Sequence, residues 1–111
     1  MTDARYVFIE SRDPFDSRDT AFVAEVATTL RQRGRDVTVF LVQNGVLATR
    51  AGAHGSEVAR LAGAGVTVLA DDFSLRERGI EPDELTTGVR EAPIEALVDL
   101  VTRRDTKTIW H

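Results

Sequence analysis

The chain reads as an α/β protein with three layers, α/β/α, around a mainly parallel sheet of about five strands. Three observations carry this. Short runs rich in Val, Ile, Phe and Thr recur along the chain. Between them lie segments whose apolar residues recur at three- and four-residue spacing, as one face of a helix requires. The central strand-like runs are continuously apolar rather than alternating, which is the pattern of strands covered on both faces.

Residues 5–10 (RYVFIE) form the first expected strand. A polar loop at 11–17 follows, with Pro14 inside it. Asp16 or Ser17 can cap the first helix by accepting a hydrogen bond from an unpaired N–H. Phe22, Val26 and Leu30 set the apolar face of that helix, with Val23 and Ala27 beside them. Gly34 stops it cheaply, because glycine tolerates the left-handed conformation. Residues 36–42 are the second strand, 43–45 a turn, and 46–50 one or two helical turns. Ser56 caps a short helix through Ala62 with Val58 and Leu61 inward. Residues 66–70 are the third strand. Ser74 and Glu77 match a capping box at the start of a short helix, which Arg78-Gly79 ends. Pro82 suits the first turn of another short helix at 81–86. Val89-Arg90 is a brief strand. Ile94, Leu97, Val98 and Val101 mark the last amphipathic helix, and 106–110 the final strand.

The 111 residues suit a single domain spanning 1–111. The net charge of -4 makes a nucleic-acid partner unexpected, since phosphate binding needs a basic face. No apolar run approaches the roughly 18 residues of a membrane span. The N-terminal segment lacks a signal-peptide pattern and there is no cysteine, so a cytoplasmic location is expected. No cofactor is implied. Gly63-Ala64-Gly65 precedes a strand, whereas a dinucleotide fingerprint must follow one, and residues 52–56 lack the Lys of a phosphate loop. His54 reads as a surface residue. His111 reads as mobile or at a subunit contact. Neither belongs to a zinc-ligand spacing. Trp110 reads as a packing residue, in the core or at an interface.

In a parallel sheet, sites lie beyond the carboxyl ends of the strands. That places any site where residues 11–16, 43–45 and 71–74 meet. The candidates are Asp13, Asp16, Asn44, Gly45, Asp71, Asp72 and Ser74. Asp16 and Asp72 have a simpler reading as helix caps, and Asp13 as a turn residue before Pro14. Asp71 is the hardest to explain as a cap. The carboxylates are the one place where Mg²⁺ or acid–base chemistry could enter, though no metal ligand set is assigned.

The whole chain resembles the DsrE/DsrF/DsrH-like sulfur-relay family, which includes the Tus proteins of tRNA thiolation. The resemblance rests on Asp13-Pro14 after the first strand, a long first helix, VTVFLVQNGV at 37–46 and VTVLADDFSLRERGI at 66–80. The last helix and the strand ending in Trp110 fit as well. In the family this third strand leads to a cysteine, sometimes to two placed three residues apart, followed by Arg-Gly. Counting back from Arg78-Gly79 puts Asp71 at the first position and Ser74 at the second. The resemblance implies a small DsrEFH-like α/β/α domain that assembles into trimers or hexamers, alone or with paralogous subunits. For a non-catalytic subunit of this kind, a thiol-bearing protein is the partner to expect. A carboxylate and a hydroxyl cannot carry sulfane sulfur, so the sulfurtransferase activity does not carry over.

Three functions follow as expectations. The first is a non-catalytic structural or binding subunit. The second is a repurposed enzyme using Asp71 with Asp13 or Asp72. The third is a small-ligand or nucleotide-binding domain. Self-association is expected too, because Val46, Leu47, Phe73 and Ile80 look surplus to one small core.

Overall fold

A computed structural model describes residues 4–13, 19–50, 52 and 55–111. Five strands, β1 (Arg5–Glu10), β2 (Asp36–Leu41), β3 (Thr67–Asp71), β4 (Val89–Ala92) and β5 (Thr106–Trp110), form one sheet. Their order is β4-β3-β2-β1-β5 and every pairing is parallel. The helices are α1 (Asp19–Gln32), α2 (Gly55–Gly63), α3 (Asp72–Glu77) and α4 (Ile94–Val101), with 3₁₀ turns at Gln43–Thr49 and Pro82–Glu84.

The order explains the layers. The chain steps in one direction from β1 to β4, then returns across the sheet to β5. Right-handed crossovers put helices of opposite travel on opposite faces. Val23, Val58 and Leu75, from α1, α2 and α3, share one core with Phe8, Val39 and Val68 of the sheet. Leu97 of α4 packs on the other face with Val7, Ile9 and Phe40. Among the described residues, one face therefore carries three α-helices and the other a single helix of eight residues.

Several expectations are corrected. The turns expected at 46–50 begin three residues earlier, as a 3₁₀ helix at Gln43–Thr49 running straight on from β2. Asp71, not Ser74 or Asp72, is the N-cap of α3, so Ser74 and Glu77 do not form its capping box. Val46 and Ile80 are buried and are not surplus to the core. Phe22 points outward from α1 at 67% exposure, because Val23, Ala24 and Ala27 are the residues that meet the sheet. Ile94 and Val98 are also exposed, leaving Leu97 as the fully inward residue of α4. Trp110 is 66% exposed within the protomer. His111 is pinned rather than loose: its N–H donates to the Ile9 carbonyl at 2.8 Å and its own carbonyl accepts from Ser11 N–H at 2.9 Å. Asp16 and His54 lie outside the described residues.

Candidate functional site

Because β1, β2 and β3 are parallel, residues 11–13, 43–45 and 71–74 all leave the same edge of the sheet. An open cleft of about 1110 Å³ lies at this edge. Gln43, Asn44, Asp71, Asp72, Ser74 and Arg78 form one wall, and Pro93, Ile94, Leu97 and Trp110 contribute the apolar side.

A hydrogen-bonded network organises the polar wall. The buried Asp71 carboxylate accepts from the Ser74 N–H at 3.0 Å and from the Ser74 hydroxyl at 2.7 Å. The Ser74 oxygen in turn accepts the Gln43 N–H at 2.9 Å. Gln43 holds φ at 51°, a left-handed conformation that costs a non-glycine residue about 1 kcal/mol. The bond from Ser74 helps retain it, so the turn after β2 is tied to the start of α3. Arg78 closes the network from the other end of α3. Its Nε and Nη2 donate to Asn44 Oδ1 at 3.2 and 3.0 Å, and its Nη1 donates to the Ser74 carbonyl at 3.2 Å. The planar fork of arginine suits this two-pronged contact.

The candidate residues separate into groups. Asn44, Asp71, Asp72 and Ser74 come together on the cleft wall. Gly45 does not line the cleft; it packs against the end of β1. Asp13 is not among the residues lining the cleft either. Asp72 lies in the first turn of α3 and faces Arg76 at 3.8 Å. Among the described residues no three metal-capable side chains cluster.

Sequence reasoning missed three sets of contributors. Arg78 was legible only as part of Arg-Gly, although its spacing of four from Ser74 places both on one helix face. Trp110 and Ile94 come to the cleft from elements distant in sequence, so no local signal pointed to them. The third is a neighbouring pair on the β1–β5 side. The buried Glu10 carboxylate lies 2.8 Å from His111 Nδ1 through each oxygen, and it also accepts the Arg12 N–H at 3.0 Å.

The Asp71 oxygen that faces Ser74 already accepts two hydrogen bonds, and the Ser74 hydroxyl both donates and accepts. The cleft is lined by the acids Asp71, Asp72, Glu77 and Glu95 and by the bases Arg76 and Arg78, so acidic side chains outnumber basic ones.

The architecture matches solved structures over nearly the whole chain. The ychN protein from E. coli superposes with a TM-score of 0.88 at 20% identity, covering 97% of this chain and 99% of that one. The protein of unknown function MTH1491 from Methanobacterium thermoautotrophicum gives 0.79 at 25% identity, over 98% and 100%. The conserved protein of unknown function BT1422 from Bacteroides thetaiotaomicron gives 0.76 at 18%, over 96% and 94%. No protein-family model matches the sequence, and no curated protein matches it. The similarity establishes the three-layer α/β fold. Among the described residues, no helix is long and apolar enough to cross a membrane.

Proposed function

We propose that this chain is a cysteine-free DsrE-like protein acting as a non-catalytic binding or structural subunit of a homo- or hetero-oligomer. One observation carries the reading. Asp71 and Ser74, which stand where the resemblance expects sulfur-bearing thiols, are joined to each other and to the Gln43 backbone. A helix cap that holds two loops together is a structural role for Asp71, not one that leaves a group free to react. The chain contains no thiolate to form a persulfide. The same engagement argues against Asp71 as a repurposed base. What the cleft offers a partner is shape, with the exposed rings of Phe73 and Trp110 beside a polar wall.

The test is incubation with a persulfide donor followed by intact-mass analysis. The wild-type chain should show no sulfur adduct, and a stable adduct on it would refute the reading. Asp71→Cys asks whether the surroundings are still a sulfur site, with Glu25→Cys on the exposed side of α1 as control. A disarmed relative of the sulfur carriers should take up sulfur in the Asp71→Cys variant and not in the Glu25→Cys control. Equal behaviour of the two variants would remove the link to sulfur relay.

A further inference from the structure

The cleft offers a partner charge as well as shape. Four acids against two bases leave its lining with a formal charge of -2. Neither base is free to answer the remaining acids. Arg76 Nη1 lies 3.8 Å from Asp72 Oδ2. The fork of Arg78 is taken up by the Asn44 side chain and the Ser74 carbonyl. Among the described residues, the exposed Glu77 and Glu95 side chains make no ion pair or hydrogen bond. Asp71 is 6% exposed, and its two donors, the N–H and hydroxyl of Ser74, are neutral and both reach Oδ2. Its Oδ1 accepts no hydrogen bond among the described residues. A carboxylate buried without an ion-pair partner carries an electrostatic cost that a positive group in the cleft would offset.

The apolar side of the cleft suits the same kind of group. Phe73 and Trp110 stand 59% and 66% exposed on it. Aromatic faces attract cations, tryptophan most strongly. A guanidinium both stacks on a ring and forks to a carboxylate. The size of the cleft decides between a free cation and one carried on a protein. Its volume of about 1110 Å³ exceeds the ~300–1000 Å³ usual for small-molecule sites. A lone ammonium ion would meet the acids and leave Phe73, Ile94 and Trp110 in water. A peptide segment can answer the acids and cover the apolar side together.

We propose that the cleft receives an arginine-bearing segment of a partner protein. Its guanidinium is drawn to Asp71, Glu77 and Glu95 and seats against the exposed rings of Phe73 and Trp110, while apolar side chains of the segment cover Ile94. This rests on the reading of the chain as a binding subunit and names the chemistry of what it binds.

Calorimetric titration of the full chain with the capped pentapeptide Gly-Arg-Leu-Arg-Gly tests it. One peptide should bind per protomer and shift the emission of Trp110, the only tryptophan. Citrulline in place of both arginines keeps their shape and removes their charge, and should weaken binding about 10-fold or more. Glu77→Gln with Glu95→Gln should weaken the arginine peptide about 10-fold, the scale of two exposed ion pairs. Glu25→Gln with Asp105→Asn removes as much charge at positions that do not line the cleft, and should change binding less than about 2-fold. Asparagine tolerates the positive φ at Asp105, so that control should fold. Trp110→Leu should bind about 3-fold more weakly, with an unchanged circular dichroism spectrum. Equal affinity for the arginine and citrulline peptides overturns the proposal, and so does equal weakening by the two pairs of charge substitutions. Full affinity in Trp110→Leu overturns the seating on that ring. Spermidine binding as tightly as the peptide overturns the protein partner in favour of a free organic cation. A wild type that binds no peptide overturns the proposal and leaves the subunit reading standing on another face. The sulfur-adduct test above decides that reading independently. A sulfur adduct with peptide binding intact would overturn the non-catalytic reading and leave the preference of the cleft in place.

Discussion

The α-carbon of Gly45 packs directly against the main-chain carbonyl of Glu10, and a β-carbon at Gly45 would overlap that oxygen. The obstructing atoms are backbone at the end of β1, so they cannot swing aside. The same carbonyl accepts the Val42 N–H at 3.0 Å, which keeps it where it is. Gly45 does not have a positive φ, so the constraint is one of space alone. Gly45→Ala should therefore destabilise the fold by about 1–3 kcal/mol, the usual cost of overpacking. Thermal unfolding followed by circular dichroism should show a lower Tm. An unchanged Tm would mean that the 3₁₀ helix can lift away from β1.

Asp71→Ala should cost about 2 kcal/mol, as it removes a helix cap and leaves the Ser74 hydroxyl without its buried acceptor. Asp71→Asn keeps an amide oxygen for the Ser74 N–H and should cost less. Ser74→Ala breaks the link to Gln43 as well. Because both side chains belong to one network, a double-mutant cycle in urea should show the pair to be non-additive, with a coupling on the order of 1 kcal/mol. Additive losses would dissolve the network.

Arg78→Lys should change global stability by less than about 1 kcal/mol, since the contact is partly solvated. An ammonium cannot reproduce the fork that reaches Asn44 and the Ser74 carbonyl together. Faster amide exchange through Gln43–Thr49 is the expected sign. Wild-type protection there would show that Ser74 alone holds the turn.

Glu10→Ala should destabilise by about 1–3 kcal/mol, because it leaves the Arg12 N–H and His111 Nδ1 without their shared buried acceptor. Glu10→Gln should recover part of the loss. Burial shields the contact, so the difference between wild type and Glu10→Ala should persist in high salt. Urea titrations at two ionic strengths measure this. A loss that vanishes in salt would place the pair at the surface.

The polar wall was half legible. Parallel strand order brings residues 43–44 and 71–74 to one edge, and that order follows from continuous apolar strands joined by helices. The detailed roles were not legible. Asp71, Asp72 and Ser74 can all cap a helix, and only the point where β3 stops pairing decides that Asp71 does. His111 looked like a loose end because its partner, Glu10, is 101 residues away.

Local chemistry in the sequence determined the elements: the β-branched runs became strands, and the 3.6-residue spacing became helices. It also determined that the chain has no cysteine, since that depends on composition alone. Tertiary structure decided which apolar residues are core. Val46 and Ile80 are buried because three helices crowd one face of the sheet, while Ile94, Val98 and Trp110 stay exposed because one short helix covers the other. Periodicity marks an apolar stripe but not how much of it a neighbouring layer is wide enough to cover. That width follows from the return of the chain from β4 to β5, a long-range choice that no window of sequence contains.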